Sequence, residues 1–149
     1  MRRVVDAEWT PTVPALVNLV AASGAPRLRS ALDAAGLDGI RPGQAVVLVP
    51  LAAGGLHASA LAERLRVSRQ AVAQAVAALE RHDYVSRVPD PADARAQIIE
   101  LTPRGRQAIR VMRSTAVDVE KRWRLILGAQ RLGELREILQ MLLSAESEA

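Results

Sequence analysis

Residues 61–85, LAERLRVSRQAVAQAVAALERHDYV, decide how this chain is read. Leu61 and Leu65 stand one helical turn apart on a short first helix. Arg66, Val67 and Ser68 then interrupt the pattern. Ser68 is a favourable N-cap, because its hydroxyl oxygen can accept from an orphan N–H in the first turn of the next helix. On that second helix Val72, Ala75, Val76 and Leu79 share one face, and Gln70, Ala73, Gln74 and Ala77 share the other. Two helices joined by so tight a turn predict a helix-turn-helix.

Working downstream, the period changes from 3.6 to 2. Residues 84–89 and 97–101 are rich in Val and Ile and read as short strands. The intervening DPADARA carries Pro and Asp turn residues, so the pair predicts a hairpin with an extended tip. Thr102 followed by Pro103 marks a helix start: a cap, then proline at the first helical position. Ile109, Met112, Ala116, Val119, Trp123 and Ile126 then recur at spacings of three and four, a heptad seam. Gly128 ends this helix. Leu132, Leu135, Leu139 and Leu142 repeat the seam on a last helix, flanked by Ile138 and Leu143.

Upstream, residues 1–12 read as a loose arm. Residues 13–36 are helical with a break near Gly24 and Pro26. GLDGIRPGQ is a loop. A further helix is expected from Pro42 or Gly43 to about Ala53, bent at Pro50 and stopped by Gly54 and Gly55. The expected division is an N-terminal arm and dimerisation helix over 1–40, a DNA-binding lobe over 41–103 and C-terminal dimerisation helices over 104–149, all within one compact domain. The fold class expected is mainly α with a small β-hairpin wing.

The totals agree with packed helices. The chain has 149 residues, the size of one ordinary domain, and half are apolar, yet there is no Phe. Trp9, Tyr84 and Trp123 are the only aromatics, so Leu, Val, Ile and Ala must build the core. The formal net charge is +4, and Lys121 is the one lysine among 20 basic residues. Arginine suits bidentate recognition of phosphates and guanine edges, although biased codon usage gives the same composition. The absence of cysteine excludes disulfides, thiolate metal sites and cysteine nucleophiles. Two histidines, His57 and His82, are too few for a convincing metal site, and no cofactor is expected. No nucleophile–base pair or phosphate loop points to an enzyme. Asp6, Glu8 and the prolines at 11 and 14 spoil a signal peptide, and Pro50, Gly54, Gly55 and His57 spoil a membrane span. A cytoplasmic protein without a membrane partner is expected.

The outer face of the second helix has a physical rationale. A helix entering a major groove about 12 Å wide must be slim. Ala73 and Ala77 keep it so, and Ala73 can touch a thymine methyl. Gln70 and Gln74 can pair with adenine edges, and Arg69, at the positive helix end, can grip phosphate or guanine. The plainer alternative is an alanine-rich solvated helix. Arg106, Arg110 and Arg113 form a second basic stripe, which reads as a solvated face. Arg64, Arg66, Arg81 and Arg87 divide between phosphate contacts and solvent.

The order of helices, turn, hairpin and long helix resembles the MarR family of winged helix-turn-helix transcription regulators. The likeness is most specific over residues 56–109, within which LAERLRVSRQAVAQAVAALERHDYVSRVPDPADARAQIIELTPRG looks like the family's DNA-binding lobe. The resemblance implies a triangular homodimer with residues 69–74 in the major groove and the wing in the neighbouring minor groove. It implies that Arg95 inserts there while Asp93 holds an arginine in place. Ala94 departs from a position often basic in the family, and His57 stands where a threonine-like helix cap is common, with Ser59 expected to cap instead. DNA-contacting residues on this reading are Ser68, Arg69, Gln70, Ala73, Gln74, Arg87, Asp93 and Arg95. Leu16 on the first helix joins Val119, Trp123, Ile126, Leu135, Leu139 and Leu142 as dimerisation residues; within one chain, the alternative is that the two C-terminal seams pack on each other. Trp9 and Trp123 are expected as interface or core anchors, the alternative being a small-molecule pocket. The function expected is a homodimeric repressor of palindromic double-stranded operators. Modulation by a small effector follows from the resemblance alone. An architectural DNA-binding protein and a protein-interaction module on the same fold are the alternatives.

Overall fold

The computed structural model describes residues 10–147, so the expectations for Trp9 and most of the N-terminal arm lie outside them. The described elements are α1 (Val13–Ser23), α2 (Ala25–Ala34), α3 (Pro42–Ala45), α4 (Ala58–Leu65), α5 (Arg69–Arg81), β1 (Val85–Asp90), β2 (Asp93–Leu101), α6 (Pro103–Leu127) and α7 (Ala129–Ser147). The helices with a two-stranded hairpin give the mainly α winged fold that the sequence pattern predicts.

The break between α1 and α2 falls at Gly24, which serves as cap to both helices. Pro26 supplies the reason: it has no N–H to donate to the preceding turn, and its ring obstructs the carbonyl there. The helix expected over 42–53 is not continuous. After the single α-helical turn of α3 the chain tightens into two 3₁₀ turns, Val46–Leu48 and Pro50–Ala53. Pro50 cannot close a bond back to Val46, so the Val46 carbonyl accepts from Val49 instead, at 3.2 Å. The narrower turn still buries Val47, Leu48 and Leu51.

One apolar core joins these pieces. Leu32 from α2, Leu37, Leu48, Leu61 from α4, and Val72, Val76 and Leu79 from α5 are buried together with Tyr84, Ile99 and Ala108. Each fully buried large side chain contributes roughly 1.5–3 kcal/mol of apolar transfer energy. Tyr84 is the polar exception. Its hydroxyl donates to the Asp38 carbonyl at 2.5 Å, and the Arg104 guanidinium lies over its ring at 4.8 Å. Arg104 also pairs with the Asp38 carboxylate. Burial pushes the Tyr84 phenol above its usual range, against the opposing pull of Arg104.

The start of α6 locks onto the base of the hairpin. Thr102 caps it, its Oγ1 accepting from the Gly105 N–H at 3.1 Å while its hydroxyl donates to the Asp83 carbonyl. Gly105 packs so closely that a Cβ there would lie 2.1 Å from the Tyr84 carbonyl oxygen. From this anchor α6 runs for 25 residues, and Gly128 turns the chain with φ +80° into α7. No helix among the described residues is long and apolar enough to cross a membrane.

Candidate nucleic-acid interface

The turn between α4 and α5 is closed without glycine. Arg66 adopts a left-handed conformation, φ 54° and ψ 44°, and the Val67 N–H reaches back to the Ala62 carbonyl at 3.1 Å. This is the six-residue closure that often ends a helix, and a non-glycine residue there costs about 1–2 kcal/mol. The Arg66 guanidinium lies against the end of α7, donating to the Glu146 carbonyl and Ser147 Oγ at 3.3 and 3.2 Å. Ser68 caps α5 by accepting from the Ala71 N–H at 3.0 Å, as its position before the apolar run predicts. Its acceptor role is thus committed to the helix. The cap His57 makes no side-chain bond to α4, and no hydrogen bond to the Ser59 hydroxyl appears among the described residues, contrary to the expectation that Ser59 caps instead.

Helix α5 sorts its residues as the sequence period predicts. Val72, Val76 and Leu79 are buried, Ala75 is half-buried, and Gln70, Ala73, Gln74 and Ala77 face outward. Arg69 is exposed at the first turn, where the helix dipole is positive. The outer face is therefore slim, polar and open along its length.

The hairpin differs from expectation at its tip. Asp90 pairs with Asp93, so the reversal is only Pro91–Ala92, and β2 begins at Asp93 rather than Gln97. Because Pro89 pairs with Gln97 while Asp90 pairs with Asp93, residues 94–96 bulge out of the ladder. Arg95 sits at the middle of that bulge and is exposed. The Asp93 carboxylate does hold Arg95, but through the backbone: Oδ1 accepts from the Arg95 N–H at 3.0 Å. A proline at 89 and two aspartates that cap their own turns explain the short reversal and the bulge. Two neighbours of the tip were not legible in sequence. Arg87 donates from Nε to the Glu80 carboxylate of α5 at 2.9 Å, and His57 Nε2 lies 2.9 Å from Asp90 Oδ2. Both contacts join residues brought together only by docking the hairpin on the helices.

A second candidate surface lies away from this one. Leu16 and Leu142 are about half exposed, and Ile126 is 74% exposed. Val119, Trp123, Leu135 and Leu139 are half-buried. The C-terminal seams therefore meet only in part within one chain: Leu132 alone is buried on α7. Val20, Trp123, Ile126, Leu127 and Leu135 line an open apolar cleft of about 270 Å³ where α1, α6 and α7 converge. Arg106, Arg110 and Arg113 are exposed along α6, as a solvated basic face requires. No group of acidic and imidazole side chains suited to a metal ion occurs among the described residues.

Comparison with known proteins bears on the same elements. The MarR family model matches residues 36–96, which span the loop before α3 through the wing tip. Comparison with curated protein sequences returns no match. Among solved structures, apo wild-type MarR from E. coli is 22% identical, with a TM-score of 0.70 over 91% of this chain and 99% of that one. The reduced form of E. coli MarR, 21% identical over 91% of this chain and 98% of that one, superposes with a TM-score of 0.75. The S. aureus MepR–DNA complex is 22% identical, with a TM-score of 0.74 over 91% of this chain and 99% of that one. At these identities the likeness is one of fold.

Proposed function

We propose that this chain, a winged helix-turn-helix fold whose residues 36–96 match the MarR family model, is a sequence-specific DNA-binding transcriptional regulator, a homodimeric repressor of palindromic operators. One observation carries the reading: the outward face of α5 is pared to Gln70, Ala73, Gln74 and Ala77, with Arg69 at its start. A helix so built can lie in a major groove, where the glutamines pair with adenine edges and Ala73 meets a thymine methyl. Arg95, on its bulge, reaches the adjacent minor groove, while Arg87 and the Ser68 hydroxyl serve the backbone near the helix. Asp93 acts indirectly, by holding the Arg95 main chain. A protein of the same fold, S. aureus MepR, has been solved in complex with DNA, which supports a DNA-binding reading.

The apolar surface of α1, α6 and α7 is the homodimer interface on this reading. Residues 1–40 and 104–149 carry it, and residues 41–103 form the DNA-binding lobe. Pairing through Leu16, Val119, Trp123, Ile126, Leu135, Leu139 and Leu142 sets two copies of α5 about one turn of duplex apart. A small effector that distinguishes two spacings of those helices tunes the affinity. The protein acts in the cytoplasm, without a catalytic role.

Selection of bound fragments from random duplex, followed by binding titrations at fixed salt, tests this. A palindrome with half-sites one turn apart is expected to bind on the order of a thousandfold more tightly than random duplex. Equal affinity for both would point to an architectural protein, and no salt-sensitive binding to any duplex would point to a protein-interaction module.

A further inference from the structure

The wing tip is tied to the helix-turn-helix by one side chain that the docking described above does not use. His57, the cap residue of α4, points its Nε2 at Asp90 Oδ2, 2.9 Å away. The Asp90 side chain is only 14% exposed, and its other oxygen accepts from the Ala92 N–H at 2.9 Å. Asp90 thus holds the two-residue reversal with one oxygen and His57 with the other. Its ladder partner is Asp93, which in turn fixes the Arg95 N–H. On the opposite side, Leu56 exchanges both main-chain hydrogen bonds with Ile99, at 3.0 and 2.9 Å, so the backbone just before His57 is fastened to β2. The imidazole therefore closes a ring from the start of α4 through the tip to the bulge that carries Arg95.

From this geometry we infer that His57 is a positioning residue for the wing: its bond to Asp90 sets how Arg95 is presented. The inference rests on the DNA-binding reading above. The imidazole holds the second oxygen of a carboxylate whose first is committed to the two-residue reversal. The charged groups that neighbouring elements bring towards this point are Asp90 on β1 and Glu100 on β2, whose side chain lies against Gly55. The 3₁₀ turn Pro50–Ala53 carries no charge. Among the described residues no other cation is paired with Asp90 or Glu100, so nothing competes for the contact. Because His57 is 43% exposed, the gain is modest.

His57→Gln and Asp90→Asn, made singly, give the experiment. In the amide NMR spectrum of the free protein, each is expected to move the Ala92 and Arg95 signals while those of α5 stay in place. With selected operator duplex, His57→Gln is expected to weaken binding about threefold, and to have no further effect once Arg95→Ala is present. Arg95 signals that ignore Asp90→Asn, or a His57→Gln loss that persists in full without the Arg95 side chain, would overturn the inference. Failure of the parent chain to bind any duplex would instead overturn the DNA-binding reading, since the NMR comparison needs no DNA.

Discussion

Tyr84 is sealed at the junction of α5, β1 and α6, and its hydroxyl is committed to the Asp38 carbonyl. Its phenol is held protonated by burial, so the folded state binds that proton more tightly than the unfolded chain does. The stability this supplies is complete below the ordinary phenol range, near pH 10, and is lost as pH rises through the elevated folded value. Tyr84→Phe is therefore expected to lose about 1 kcal/mol at pH 7, because the Asp38 carbonyl keeps only its 3.4 Å contact with Arg104. The variant should also lack the alkaline fall seen in the parent. Urea midpoints at pH 7 and in the alkaline range check both parts, and ultraviolet titration of the single tyrosine reads the phenol directly. Gly105 makes a sharper demand. A methyl group there would meet the backbone oxygen of Tyr84, which no side-chain rotation can relieve. Gly105→Ala should cost about 1–3 kcal/mol or more, measured by the same denaturation, and a neutral result would show that α6 can lift off the hairpin base.

At the scale of elements, α5 and the wing divide the proposed DNA contact by shape. Helix α5 is rigid, since its inner face is buried and its start is capped by Ser68. The wing presents Arg95 from an irregular bulge, which aims a side chain outside the plane of the ladder. Arg95→Ala is expected to weaken operator binding by about 1–3 kcal/mol, most where the flanks are A·T-rich, as a shift assay with varied flanks would show. Gln74→Ala is expected to relax preference at one base pair per half-site more than it lowers affinity for random duplex. Equal losses on both duplexes would reduce Gln74 to a positioning role.

For the whole molecule, the decisive feature is the apolar surface left open on α1, α6 and α7. Ile126 and Leu142 are exposed in the single chain, so charging them should leave the protomer fold intact. Ile126→Asp with Leu142→Asp is expected to give a folded monomer by sedimentation, with unchanged helical circular dichroism. Such a monomer should retain half-site contacts yet lose most of the affinity for the paired operator, because the second contact is no longer intramolecular. Sedimentation as a dimer at micromolar concentration would place the interface elsewhere.

Local signals alone determined a large share of this protein. The two faces of α5, the Ser68 and Thr102 caps, the break near Gly24 and the turn at Gly128 all follow from neighbours within a few residues, where backbone hydrogen bonding and helical period act. The α3 region misled because Pro50 does more than bend a helix: it removes a donor and converts the segment to 3₁₀ turns. The tip misled because two aspartates satisfied their own turns and shortened the reversal. Only the tertiary structure decided which distant side chains met: Glu80 with Arg87, His57 with Asp90, and Asp38 with Tyr84 and Arg104. Those partners are separated along the chain by loops whose closure depends on burial of the shared core, and no local period encodes the separation.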